Sequence, residues 1–531
     1  MTDIIQNEII QFASELPESI QVDAYKNEQD IYGVLSFNVP SHETTTLPVF
    51  YDIMVDVSGS MSDTLCDGRT KMQLIIHTLT NILHHFAENT QNSHIQITGF
   101  DNSIHYYIKR TVVTPYNVES LISTLSTMRP MNLTNIELAL KTIAGCVNTN
   151  GLPCKQHTVI FLTDGDATVG QHDPTKLSEL IPNNVSFHSI ALGKYHNSDI
   201  MYALGHRTPY TSNWFINELE HTGNVYGEIL FNETHRLLNS VVIHVNNGRI
   251  FNYSSGEFET SIQIGNLSSE MNKQYHIMSD TPSDCSVCIQ GIDARNGTHT
   301  EFHAIDMSSV IQSSGRHNDC DEFNTHFMKK QYMRLGVQKL MADLRLCSQL
   351  SDNRPRIAIS VFDNYDQLVP DVKDNRDELR KGFNQRANKL KDSIIKYMDS
   401  NGLKEDSLLY GLVDDLNVVI NTLIKKMNLK YAVAREESQG RQTAFNTVSE
   451  MQDNIDDDND NSLLDIRPPR LRREPTSAYA TPGRLGLMRE MSNNSENVDI
   501  EHDLHAPPPA IVSPFRDEES QLDAFPSINS P

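Results

Sequence analysis

Residues 49–63 read VFYDIMVDVSGSMSD: an apolar run, interrupted once by an aspartate, that empties into Asp56, Ser58 and Ser60 around Gly59. Such a run reads as a buried strand. In a loop leaving the C-terminal end of a strand, residues two apart turn the same way. One carboxylate and two hydroxyls then converge on a point, and Gly59 has no side chain to obstruct the turn. In open α/β sheets, ligands bind in the crevice outside those strand ends. The competing reading is a polar strand-to-helix loop whose aspartate and serines cap backbone amides.

Downstream, TKMQLIIHTLTNILHHFAE places Met72, Ile75, Ile76, Leu79, Leu83 and Phe86 on one helical face. Strand-like HIQITGF (94–100) and SIHYYI (103–108) follow, then helical NVESLISTLSTM and TNIELALKTIAGCV, then strands HTVIFLTD and VSFHSIALG. Strands separated by helices predict parallel pairing with right-handed crossovers. Residues 48–240 are therefore expected to form a doubly wound α/β domain with a mostly parallel sheet.

At 240 the texture changes. Short alternating runs from SVVIHV to THTEFHAID predict an antiparallel β-sandwich over 241–324, and Asn-Gly at 247–248 and 296–297 suits type I′ hairpins. The similar run DIYGVLSFNV lies before the α/β domain, so residues 30–47, behind an N-terminal segment of 1–29, are expected to pair with that sandwich. Helical periodicity returns over 325–434. Leu379, Phe383, Ala387, Leu390, Ile394 and Tyr397 form one stripe and Leu409, Leu412, Val413, Leu416, Val419, Ile420, Leu423 and Ile424 another, as in a helical bundle. Over 435–531 an acidic run, MQDNIDDDNDN, a basic one, RPPRLRREPTS, and a Pro- and Ser-rich remainder predict a disordered tail. Arg467 to Arg473 beside Thr476 and Ser477 read as a solvated charge run or a phosphorylation-controlled docking segment.

The whole chain is 531 residues, 38% apolar, with 69 acidic against 44 basic residues and a formal charge of −25. That length calls for two or three folded units plus tails. The charge repels nucleic acid and anionic lipid, and favours cations and basic partners. Seven cysteines, odd in number and scattered, read as reduced thiols. The N-terminus carries acids where a secretory signal needs bases, and no apolar run is long enough to span a membrane. An intracellular, cytoplasmic location is the expectation, and the sequon at Asn132 is then expected to stay unglycosylated.

Two further loops bear on the opening motif. Thr134 opens the helix TNIELAL and Asp164 ends the strand HTVIFLTD, both expected on the sheet edge that carries Asp56. Thr134 to Glu137 is also a capping box, and Asp164-Gly165 a common turn. Taken together, Asp56-x-Ser58-x-Ser60, then Thr134, then Asp164 resemble the metal-ion-dependent adhesion site of the von Willebrand factor A family over roughly 48–240. The resemblance implies that Ser58, Ser60 and, with ligand bound, Thr134 touch the ion, and that Asp56 and Asp164 act largely through waters. Met131-Asn132-Leu133 departs from the small glycines the family places there, which narrows the mouth of the site. The wider layout is similar to intracellular members with a flanking β-sandwich and a helical segment, whose end YAVAREESQGRQTAFN (431–446) resembles; no intein-like block and no RING-type Cys/His array is present.

Magnesium or manganese suits this oxygen set, because a hard cation takes six oxygens and retains some waters. Mainly neutral direct ligands leave the ion positive enough to recruit an Asp or Glu from a protein partner. The expected function is divalent-cation-dependent protein binding, an adhesion or scaffold role without catalysis. The rival is a haloacid-dehalogenase-like phosphatase, because Asp164-Gly165-Asp166-Ala167-Thr168 matches D-x-D-x-[TV], with Asp164 as nucleophile and Asp166 as acid/base. Cys285, Cys288, His317 and Cys320 have spacings compatible with zinc, although residues three apart in a strand face opposite ways.

Overall fold

Two strands, β1 (Ile20–Lys26) and β2 (Ile31–Asn38), precede the α/β unit and pair antiparallel. The computed structural model describes residues 20–26, 31–39, 41, 49–65, 68–89, 93–148, 156–193, 196–216, 222–281, 284–295, 297–306, 321–349, 376–424, 429–445 and 478–493.

The α/β unit comprises β3 (Val49–Asp56), α1 (Lys71–Asn89), β4 (His94–Phe100), β5 (Ile104–Val112), α2 (Val118–Leu125), α3 (Ile136–Asn148), β6 (Gln156–Thr163), α4 (Pro174–Ser178), β7 (Ser186–Leu192), α5 (Ser198–Gly205), β8 (Thr211–Ile216) and α6 (Thr222–Thr234). Its sheet runs β5-β4-β3-β6-β7-β8, parallel except for the β4–β5 hairpin at one edge. Every residue of β3, β6 and β7 is buried, which explains why these strands carry apolar runs rather than strict alternation. After β3 the chain crosses to β4, whereas β6 lies on the other side of β3. The switch point between outgoing connections therefore lies between β3 and β6, and the loops after these two strands diverge to leave a crevice.

From Arg236 the chain enters the sandwich: β9 (Arg236–Asn246), β10 (Arg249–Asn252), β11 (Glu257–Glu259), β12 (Ser261–Ser268), β13 (Asn272–Ser279), β14 (Ser286–Asp293) and β15 (His299–Asp306). One sheet runs β1-β2-β13-β10-β11 and the other β12-β9-β14-β15, all antiparallel. β2 pairs with β13 along its length, from Asn38 opposite Asn272 to Ile31 opposite Ser279, so the sandwich is assembled from both sides of the α/β unit as expected. β1 lies inside 1–29, where IQVDAYK is too polar to stand out as a strand. The Asn247-Gly248 hairpin is corrected: β9 and β10 belong to different sheets, and the turn hands the chain between them. Asn247 takes φ 52°, and a Cβ on Gly248 would lie 3.0 Å from Met278 O, so the crossing needs glycine there. The second Asn-Gly does lie between paired strands, β14 and β15, but in a connection longer than two residues.

The helices are α7 (Asp321–Gln349), α8 (Arg376–Asn401), α9 (Ser407–Ile424), α10 (Leu429–Arg441) and α11 (Pro482–Asn493). They are not an isolated bundle. Leu340, Leu412 and Tyr431 share one apolar cluster with Met54, Phe161 and Phe187, so α7 to α10 cover one face of the central sheet. The opposite cluster joins Ile53, Val55 and Ile160 to Ile75, Tyr226 and, unexpectedly, Leu487, Met488 and Met491. These last belong to α11, so the tail expected over 435–531 contains an ordered helix docked on the α/β unit. Its short apolar stripe was masked by polar neighbours. Met491 O accepts from Asn81 Nδ2 at 2.8 Å, and Gly483 N donates to Glu270 at 2.8 Å. Among the described residues no helix is long and apolar enough to cross a membrane.

Candidate metal site

The loop after β3 is tied back on itself. Asp56 is fully buried; its Oδ1 accepts from Ser58 N at 2.8 Å and its Oδ2 from Thr163 Oγ1 at 2.6 Å. A short 3-10 turn, Gly59–Ser62, then swings Ser60 back toward β6. Ser58 and Ser60 hydroxyls lie 3.1 Å apart, and Ser60 Oγ donates to Asp164 Oδ1 at 2.7 Å. Four of the expected residues thus form one oxygen chain across the switch point. Burial, opposed by the hydrogen bonds from Ser58 and Thr163, pushes the Asp56 carboxyl up to about 6. Thr163, which orients Asp56, carries no motif that sets it apart from any strand threonine.

Lys71 is the functional residue that sequence reading missed. Only 2% exposed, it sends Nζ to Asp164 Oδ2 at 2.8 Å, to Asp63 Oδ2 at 3.0 Å and toward Ser60 O at 3.5 Å. Burial pulls against its charge, yet the Asp164 and Asp63 carboxylates hold the ammonium above the ordinary lysine range. The one available signal was electrostatic. Lys71 opens α1, where the positive end of the helix dipole disfavours a cation unless carboxylates lie close by.

Thr134 sits 4% exposed in the second loop, which is stitched to the third: Thr134 N donates to Thr168 Oγ1 at 2.8 Å, and Thr134 O accepts from Thr168 N at 2.9 Å. The capping-box reading is not what the structure adopts. Asn135 caps α3 by accepting from Leu138 N at 3.0 Å, and Glu137 is engaged by Gln171 N at 2.9 Å. The Thr134 hydroxyl consequently makes no hydrogen bond among the described residues. Asn132, where glycine was expected, takes φ 54° and donates to Asp101 Oδ2 at 2.8 Å, which is the left-handed geometry asparagine tolerates best after glycine. Gly59 N donates to Asn132 O at 3.1 Å, linking first loop to second. Met131 and Leu133 are 38% and 52% exposed beside Thr134.

Residues 53–167 match the family model of the von Willebrand factor type A domain. By that match, this part of the α/β unit is a von Willebrand factor type A domain. No curated protein matched the sequence significantly. Solved structures similar to this chain include the ArnB paralog VWA2 from Sulfolobus acidocaldarius, at 14% identity and TM-score 0.45 over 80% of this chain and 99% of that one. A von Willebrand factor type A protein from Catenulispora acidiphila matches at 12% identity and TM-score 0.42, over 62% and 82%. Proximal thread matrix protein 1 from the mussel byssus, with zinc in its MIDAS motif, matches at 18% identity and TM-score 0.26, over 32% and 44%.

In the A domain, the donor set of two carboxylates and three hydroxyls is all oxygen, and the Thr134 hydroxyl makes no other hydrogen bond among the described residues. That chemistry fits a hard divalent ion. Lys71 offsets only part of the negative charge of Asp56, Asp63 and Asp164, which leaves room for a cation. The rival motifs fare differently. Asp166 is exposed, and Thr168 of the same motif is spent on tying loop to loop. The adjacent acids Asp414 and Asp415 are ion-paired with Arg435 at 2.8 and 3.0 Å inside the helical layer. Cys285 and Cys288 are buried, and Cys288 Sγ lies 3.3 Å from Glu301; His317 and Cys320 lie outside the described residues. Among the described residues no group of three or more His, Cys, Asp or Glu could hold a metal.

Proposed function

We propose that this chain is a divalent-cation-dependent protein-binding module, and that Asp56, Ser58, Ser60, Thr134 and Asp164 hold one magnesium or manganese ion. The observation that carries the reading is the Thr134 hydroxyl: on a residue 4% exposed at the crevice, released from helix capping by Asn135, and without a hydrogen bond among the described residues. When bound, the ion supplies a Lewis-acid position for an outside carboxylate. Asp56 and Asp164 balance its charge. Ser58 and Ser60 hold the first loop toward Asp164, and Thr134 completes the set once a partner arrives. Met131 and Leu133 form an apolar rim on which the partner's residues beside its Asp or Glu would rest.

The test is capture of partners from extract on the immobilised full chain, in magnesium and in EDTA, for wild type, Ser58→Ala and Asp164→Asn. Partners retained in magnesium, released by EDTA and lost in both variants support the module. Phosphatase turnover that is abolished by Asp164→Asn and indifferent to Ser58→Ala would overturn it in favour of the enzyme reading.

A further inference from the structure

Away from the metal loops, where α6, β13, α7, α10 and α11 meet, lies a cavity of about 750 Å³. Its wall carries five cations, Arg207, Lys273, Arg334, Arg441 and Arg484, against three carboxylates. Those carboxylates are already engaged. Glu228 accepts from Ala444 N at 2.8 Å and Phe445 N at 2.7 Å; Glu233 is bound by Arg236 and Thr158; Glu259 Oε1 accepts from Asn252 at 2.9 Å and Ser255 at 2.6 Å.

Of the cations, Arg441 has an acid of its own, Glu437 at 2.8 Å. The others make no direct ion pair among the described residues, although Glu228 faces Lys273 and Arg484 and Glu270 faces Arg484. Arg484 is 2% exposed, donates from Nε to Asn232 Oδ1 at 3.1 Å, and keeps a buried Nη2 with no partner. Arg334, 1% exposed, donates only to amide oxygens: Gln274 O at 3.1 Å, Gln439 O at 3.0 Å and Gln331 Oε1 at 3.3 Å. Lys273, half-buried on β13, has no hydrogen bond or ion pair among the described residues. Burial, then the Arg484 and Arg441 guanidiniums, pull its ammonium down to about 7. Cations without a direct counter-ion in a shielded cavity are costly in the unliganded protein, and a bound anion lowers that cost.

We infer that this cavity binds a small polyanion bearing two or more phosphate groups, gripped by Lys273, Arg334 and Arg484. Planar guanidinium forks with a point ammonium suit phosphate oxygens, and the space lies within the roughly 300–1,000 Å³ usual for small-molecule sites. The phosphates belong to a nucleotide or to an inositol polyphosphate, and the titration separates the two.

The experiment is calorimetric titration of the full chain, in EDTA so that the metal loops contribute nothing, with ADP, inositol hexakisphosphate and inorganic pyrophosphate. Wild type, Lys273→Met and Arg484→Gln are compared. One probe should bind saturably with unit stoichiometry and raise the wild-type melting temperature, and Lys273→Met should weaken it at least tenfold. The same variant should melt higher than wild type without ligand, because it removes an unpaired charge, so lost binding cannot be ascribed to lost folding. ADP above the other two assigns a nucleotide, and inositol hexakisphosphate above both assigns an inositol polyphosphate. If no probe binds, or both variants bind as wild type does, the inference fails.

Discussion

Lys71 and Thr134 show what a single residue contributes and what its letter conceals. A lysine beside an apolar helical stripe is ordinary in sequence; its burial against Asp164 depends on where α1 begins relative to β6, a tertiary fact. Breaking a buried pair by removing one partner costs about 3–5 kcal/mol. Lys71→Met should therefore lower stability by roughly 3 kcal/mol in EDTA. It should also strengthen manganese binding, since the competing cation is gone, and denaturant melts with and without manganese would read both effects. Thr134 was legible as a site residue only in company with the other loops, because its four-residue context also spells a capping box. Thr134→Ala should change metal affinity by less than about threefold yet weaken a carboxylate-bearing partner about tenfold, or roughly 1.4 kcal/mol, measured by binding isotherms in magnesium.

At the scale of elements, the fully buried strands and amphipathic helices of the A domain were readable because their periodicities are long and unbroken. What escaped were pieces whose signal is short or depends on partners. β1 is too polar to announce itself; β8, TSNWFI, is six residues long with a polar first half; α11 shows four apolar residues among charges. The docking of α11 has a backbone cause. A Cβ on Gly223 would lie 2.4 Å from Met491 O and one on Gly227 2.6 Å from Met488 Cα, so α6 is notched by two glycines one turn apart. Gly227→Val should expel α11, because the obstructing atoms are backbone and cannot rotate away. Faster tryptic cleavage after Arg484 and Arg489, together with a lowered melting temperature, is the expected result. Unchanged cleavage would mean that the helix is held by other contacts.

Across the whole molecule, sandwich, A domain and helices share burial, and with it come ionisable groups in places where charge is disfavoured. His188 on β7 is one: burial, with the Arg236 charge beside it, drops its imidazole to about 3, while nearby Glu233 is claimed by Arg236. In the unfolded chain this histidine titrates near 6.5, so as pH falls below that value the unfolded state takes up a proton the folded state refuses. Stability is then lost at about 1.4 kcal/mol per pH unit until the folded value is reached. Urea melts at pH 6.5 and 5 should show wild type losing more stability than His188→Asn, by about 2 kcal/mol at that rate. The central claim concerns the crevice between β3 and β6, whose residues the sequence named but whose neighbours Lys71 and Thr163 emerge only in three dimensions. Its most direct test is calorimetric titration of the full chain with manganese, wild type against Asp56→Ala and Asp164→Ala. The account predicts a single saturable ion in wild type, a loss of at least tenfold in either variant, and displacement by magnesium. A wild type that takes up neither ion, or variants that bind manganese equally well, would contradict it.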